Sequence, residues 1–176
     1  MPRRALRGAG AAFVLSGALL AAPSLAEAKT FVAPITDPAG DAKVDARDIL
    51  SGRIAYNRKS GALSATVDVA ADFADVRDDA IVYIILSDLV DGRCHKVSLT
   101  IGGLLSDPAV PLAWKGSGAP KKKYLGTGVL EGATYKMRVK AKGLAGITPG
   151  CTAIALVSTG EDATLFDDTD IRNGFR

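Results

Sequence analysis

Hydrophobicity in this chain alternates with a period of two, and that alternation most restricts what the chain can build. Leu63, Ala65, Val67 and Val69 are interleaved with Ser64, Thr66 and Asp68. Successive side chains of a strand point to opposite faces, so the first set reads as a buried face and the second as a wetted one. Tyr135, Met137, Val139 and Ala141 alternate in the same way with Lys136, Arg138, Lys140 and Lys142. That pattern is a core face backed by a row of cations. Ile81 to Leu86 and Ala153 to Val157 are apolar almost without a break, which predicts central strands covered on both faces. Further strands are predicted at Thr30 to Ile35, Asp48 to Tyr56, Cys94 to Ile101, Pro111 to Lys115 and Tyr124 to Leu130, eight or nine in all. The connections carry turn chemistry, notably the polar run Asn57 to Gly61 and the tight-turn pair Asp91-Gly92. Helical periodicity is nowhere sustained, and a short helical turn is predicted only around Ala71 to Arg77. The expected fold is therefore all-β, a single antiparallel β-sandwich of the jelly-roll or immunoglobulin-like kind.

The first 28 residues read as an export signal rather than as part of this fold. Arg3, Arg4 and Arg7 are followed by an uncharged apolar stretch from Ala11 to Leu25 and by Ala26-Glu27-Ala28, a small-x-small cleavage pattern. The stretch is shorter than a membrane span and is broken by Pro23. The expected mature chain is Lys29 to Arg176, a single domain with no transmembrane segment, secreted or held in the periplasm or cell envelope. Removing three Arg and one Glu lowers the net charge from +3 to +1, with 19 basic against 18 acidic residues. Nearly balanced charge removes the case for a nucleic-acid binder. Cys94 and Cys151 are the only cysteines, and in an oxidising compartment a disulfide between them is the default.

Acidic residues of the mature chain are sixteen Asp against two Glu. Most of that excess is what a turn-rich chain needs, since the short Asp carboxylate caps backbone N–H groups. The densest group, Asp37, Asp41, Asp45 and Asp48, surrounds a Pro and a Gly, and a curled loop there could converge the carboxylates on a structural Ca²⁺. Asp167, Asp168 and Asp170 could complete such a site if the two ends of the domain meet. The alternative is turn capping with local pairing to Lys43 or Arg47.

Basic residues gather in the second half. Lys121, Lys122 and Lys123 follow the flexible run Gly116-Ser117-Gly118-Ala119-Pro120, and the row Lys136, Arg138, Lys140 and Lys142 comes one hairpin later. Trp114 and Tyr124 bracket the lysine loop. Rings that stack on sugars beside ammonium groups that meet carboxylate or phosphate suit a carbohydrate or anionic surface polymer. Exposed Lys also keeps a strand face soluble and guards an edge, and Trp114 can serve equally as a core residue. Signals for catalysis are weaker: His95 is the only histidine, and neither a Gly-x-Ser-x-Gly elbow nor a His-Glu-x-x-His pair occurs.

Asp37-Pro38-Ala39-Gly40-Asp41, followed by Asp48-Ile49, a strand, a Gly-containing turn and the strand Leu63 to Val69, resembles the start of small exported bacterial β-sandwich domains. It is similar in style to family-nine carbohydrate-binding modules and to DOMON-type domains. The resemblance covers the first third of the mature chain and implies a sandwich fold, sugar or surface binding and, in some members, structural calcium. The functional expectation is a non-catalytic binding module for an envelope or extracellular glycan or polyanion. A structural or protein-interaction domain of the envelope is the second expectation, and an unrecognised secreted hydrolase the third.

Overall fold

A computed structural model describes residues 29–42, 47–76, 80–118, 120–159 and 165–169. The proposed export signal, Lys43, Asp45 and Asp170 lie outside the described residues. Among the described residues ten strands follow in chain order: β1 (Thr30–Thr36), β2 (Ile49–Asn57), β3 (Ala62–Val69), β4 (Ala80–Val90), β5 (Arg93–Leu104), β6 (Leu112–Lys115), β7 (Tyr124–Glu131), β8 (Thr134–Lys140), β9 (Cys151–Ser158) and β10 (Leu165–Asp168). The helical turn expected after β3 is a short 3₁₀ segment, Phe73–Val76, and a second 3₁₀ turn covers Lys142–Leu144.

Every pairing is antiparallel, and the strands join one hydrogen-bonded sheet in the order β1-β2-β3-β8-β7-β6-β5-β4-β9-β10. The all-β antiparallel expectation holds, and the architecture is a curled sheet, a half-barrel. Its weakest seam is β6–β7, which pair only at Leu112–Leu125 and Ala113–Tyr124. Curling brings strands remote in that order face to face. A Cβ added to Gly52 of β2 would lie 2.2 Å from Ile154 Cδ1 of β9, so the two walls pack closely across the core there.

The inward faces are those that the alternation predicts. Leu63, Ala65, Val67 and Val69 of β3 and Tyr135, Met137 and Val139 of β8 are buried, and they share one core with Val82, Ile84 and Leu86 of β4, Leu99 and Ile101 of β5 and Ile154 and Leu156 of β9. Tyr56 ties this core to the loop before β9: its hydroxyl donates to the Leu144 carbonyl at 2.8 Å and accepts from the Ile147 N–H at 3.2 Å. The β4–β5 hairpin turns on Asp91 and Gly92, both at positive φ (49° and 74°), as a two-residue loop between right-twisted strands requires.

Two elements depart from expectation. β10 forms beyond the last strand predicted from the sequence; it pairs with β9 through a bulge between Leu165 and Asp167. In β4 the apolar run is not covered on both faces, because Ile81, Tyr83 and Ile85 on its outer side are only half-buried. Apolar content alone does not say whether a second layer covers a face. In β9 Cys151 through Leu156 are all buried, so the expectation holds for Ala153 to Leu156, while Val157 is half-buried.

Candidate functional site

The outer face of the β4–β5–β6 wall carries an aromatic hollow. Val82 and Ile84 take the core, so Ile81 and Tyr83 face outward, and register places Tyr83 opposite Gly102 and Gly102 opposite Leu112. Trp114, two residues further along β6, points the same way. The Tyr83 and Trp114 rings meet edge to face at 90°, with centroids 6.3 Å apart. Gly102 forms the floor between them, and a Cβ there would lie 2.9 Å from Tyr83 Cε1 and 3.4 Å from Trp114 Cη2. The hollow encloses about 290 Å³, walled by Ile81, Leu104, Val110 and Leu112, with Pro120 and Lys123 of the following loop at its rim. The Trp114 Nε1–H is buried without a hydrogen-bond partner among the described residues.

Trp114 and Lys123 therefore come together as the sequence suggested, but Tyr124 does not join them. Tyr124 stands opposite Ala113, which is fully buried, so its ring packs inward against the core. A Cβ on Gly143 would lie 1.8 Å from the Tyr124 hydroxyl, and Lys122 Nζ sits 5.3 Å from the centre of the ring. Two residues ten apart in sequence looked equivalent, but the phase of each strand sends one outward and the other inward. Tyr83 is the aromatic partner that sequence reasoning missed. Its signal lay in the phase it shares with Ile81, hidden by an apolar run with no polar residue to mark the outer face.

Lys136, Arg138 and Lys140 are exposed on the outer side of β8, as predicted. Lys136 donates to Glu131 Oε2 at 2.7 Å, an exposed pair, and such pairs contribute little. Arg138 and Lys140 edge a shallow groove floored by Ala55 and Ser64 and bordered by Asn57 and Ser60. The pairing of Gly126 with Val139 carries the Lys140 end of the row toward the start of β7, where the exposed loop Lys121 to Lys123 ends. β7 itself, with outward Leu125, Thr127 and Val129, separates this row from the aromatic hollow.

A third constellation joins the two ends of the sheet. Asp37 and Asp41 follow β1, Asp167 lies in β10, and one carboxylate oxygen from each falls within 4.8 Å of the others. The Ile49 N–H donates to Asp167 Oδ2 at 2.6 Å, and the Gly40 N–H donates to Asp48 Oδ2 at 2.7 Å. Burial pushes the Asp167 carboxyl above the usual carboxylate range; the Ile49 N–H opposes this, the Asp41 charge adds to it, the Asp168 N–H opposes it and the Asp48 charge adds again. Of the four carboxylates expected from sequence, Asp37 and Asp41 converge with Asp167, which the sequence offered from the far end of the chain; Asp48 accepts from Gly40 beside them, and Asp45 lies outside the described residues.

Cys94 and Cys151 are disulfide-bonded, with an S–S distance of 2.01 Å and a Cα–Cα distance of 5.8 Å. They sit on β5 and β9, the two neighbours of β4, opposite Leu89 and Ser87 respectively. Strands two places apart are normally separated by about 9–10 Å; register shifts around Ser87 let them converge over β4. His95, next to Cys94, is exposed. Among the described residues no helix is long and apolar enough to cross a membrane. No protein-family model, curated protein or solved structure matches the chain.

Proposed function

We propose that this protein is an exported, non-catalytic binding module of sandwich-like build, and that its ligand is an envelope or extracellular glycan. The observation that carries this reading is the hollow between Tyr83 and Trp114. Two rings offering edge and face, a glycine floor and a lysine at the rim give an apolar surface for the C–H face of a sugar and a cation for a carboxylate or phosphate substituent. Its volume stands at the small end of ligand pockets and suits a single ring rather than an extended chain. The basic row on β8 supplies a second, salt-sensitive contribution for an anionic polymer. The Cys94–Cys151 disulfide agrees with export.

A second reading is a protein-interaction domain, favoured by the exposed Leu104, Val110 and Leu125 near the hollow. Co-sedimentation of the purified protein with insoluble envelope polysaccharide at low and high salt separates the two. Retention that survives salt and disappears in Trp114→Ala supports the hollow; retention lost with salt and in Arg138→Glu supports the basic row. No retention in either condition rejects the glycan reading for that material and puts the protein-interaction reading first.

A further inference from the structure

The acidic cluster at the meeting of the sheet's two ends is independent of the aromatic hollow and of the β8 row. Two features of it point to a ligand. Its three converging atoms are all carboxylate oxygens, the hard donors that Ca²⁺ takes at 2.3–2.6 Å. The second feature is Asp48. It is 2% exposed, its Oδ2 is turned to the 37–41 loop by the Gly40 N–H, and its Oδ1 is buried with no hydrogen-bond partner among the described residues. A buried carboxylate oxygen with no donor among the described residues is unfavourable unless a cation, or water held by one, faces it.

We propose that Asp37, Asp41 and Asp167 bind a Ca²⁺ ion that clasps the β1–β2 connection to β10, with Asp48 backing the site from the core side. Backbone carbonyls and water supply the remaining ligands that a coordination number of six to eight requires. The clasp has a clear structural task. β10 is a four-residue strand, broken by a bulge, at one edge of the sheet, and the Ile49 N–H bond to Asp167 links it to the opposite end of the half-barrel. An ion between them closes the curl where no backbone ladder does. Mg²⁺ fits less well, since it demands near-ideal octahedral placement and is usually held by only one or two carboxylates.

The test is calorimetric titration and thermal unfolding of the purified, chelator-treated protein with CaCl₂ and, separately, MgCl₂. Half-saturation by Ca²⁺ is expected on the order of 0.1–1 mM, the range of extracellular modules. At about 10 mM CaCl₂ the unfolding midpoint should rise by roughly 4–8 °C, from a roughly thirtyfold excess over Kd. Asp41→Asn is the decisive variant, because Asp41 is exposed and its loss relieves carboxylate repulsion. It should unfold no earlier than the parent in chelator and lose most of the rise with Ca²⁺. Asp167→Asn should also lose the rise; should it fail to fold, Asp41→Asn decides. No heat and no shift with Ca²⁺ in the parent, an undiminished shift in Asp41→Asn, or equal response to Mg²⁺ would each overturn the assignment.

Discussion

Breaking the Cys94–Cys151 bridge is expected to cost the domain a large share of its stability, and the size of the loss follows from the sequence separation of 57. In the chain-entropy treatment a loop of that length restricts the unfolded ensemble by about 4 kcal/mol. A domain of this size shifts its midpoint by roughly 2–4 °C per kcal/mol, so the reduced protein should melt roughly 8–16 °C lower. The comparison is urea unfolding of the oxidised protein with and without a thiol reductant, repeated with the double variant Cys94→Ala/Cys151→Ala. Because Cys151 is fully buried while Cys94 is half-buried, alanine at 151 adds a small void, and the double variant should be slightly less stable than the reduced parent. The entropic origin has its own signature. Releasing the cross-link expands the unfolded chain, so the urea m-value should rise as the midpoint falls. A loss below about 1 kcal/mol, or a large loss with an unchanged m-value, would refute the reasoning and place the bridge's contribution in the folded state.

Other predictions concern the hollow, the core and pH. Gly102→Val fills the space between Tyr83 and Trp114 while suiting strand geometry, so it should abolish retention on polysaccharide and leave the far-ultraviolet spectrum unchanged; retained binding would show that the hollow is not the site. Gly103→Ala drives a Cβ to 2.2 Å from the buried Tyr135 hydroxyl and should lower stability by about 1–3 kcal/mol in urea unfolding. Burial holds the Tyr135 phenol well above its ordinary range, so the unfolded chain loses that proton first as pH rises. Stability is then full below the unfolded tyrosine value of about 10 and falls above it, by up to ~1.4 kcal/mol per pH unit for this group. Tyr135→Phe should remove that part of the slope in urea midpoints measured above pH ~10, at the expense of about 1 kcal/mol for the 2.9 Å bond to the Pro108 carbonyl. Tyr56, raised for the same reason, should keep a smaller alkaline slope in that variant.

What the sequence by itself determined is what a strand states locally. A period of two marks which side chains of β3 and β8 are buried, because Cβ atoms alternate whatever the strand pairs with. Asp91-Gly92 marks a tight hairpin, because few residues accept positive φ at both positions. A pair of cysteines marks a bridge once export is assumed. Tertiary structure decided everything that depends on which strands are neighbours. The antiparallel order placed β7 between the basic row and the aromatic wall, turned Tyr124 inward and Trp114 outward, and supplied Tyr83 as its partner. It also made β10 a strand, because that segment gains a ladder only when β9 is beside it, and so carried Asp167 across the chain to Asp37 and Asp41. The period of a strand is written in its own covalent geometry, whereas its neighbours are selected by contacts between distant residues, which no local pattern records.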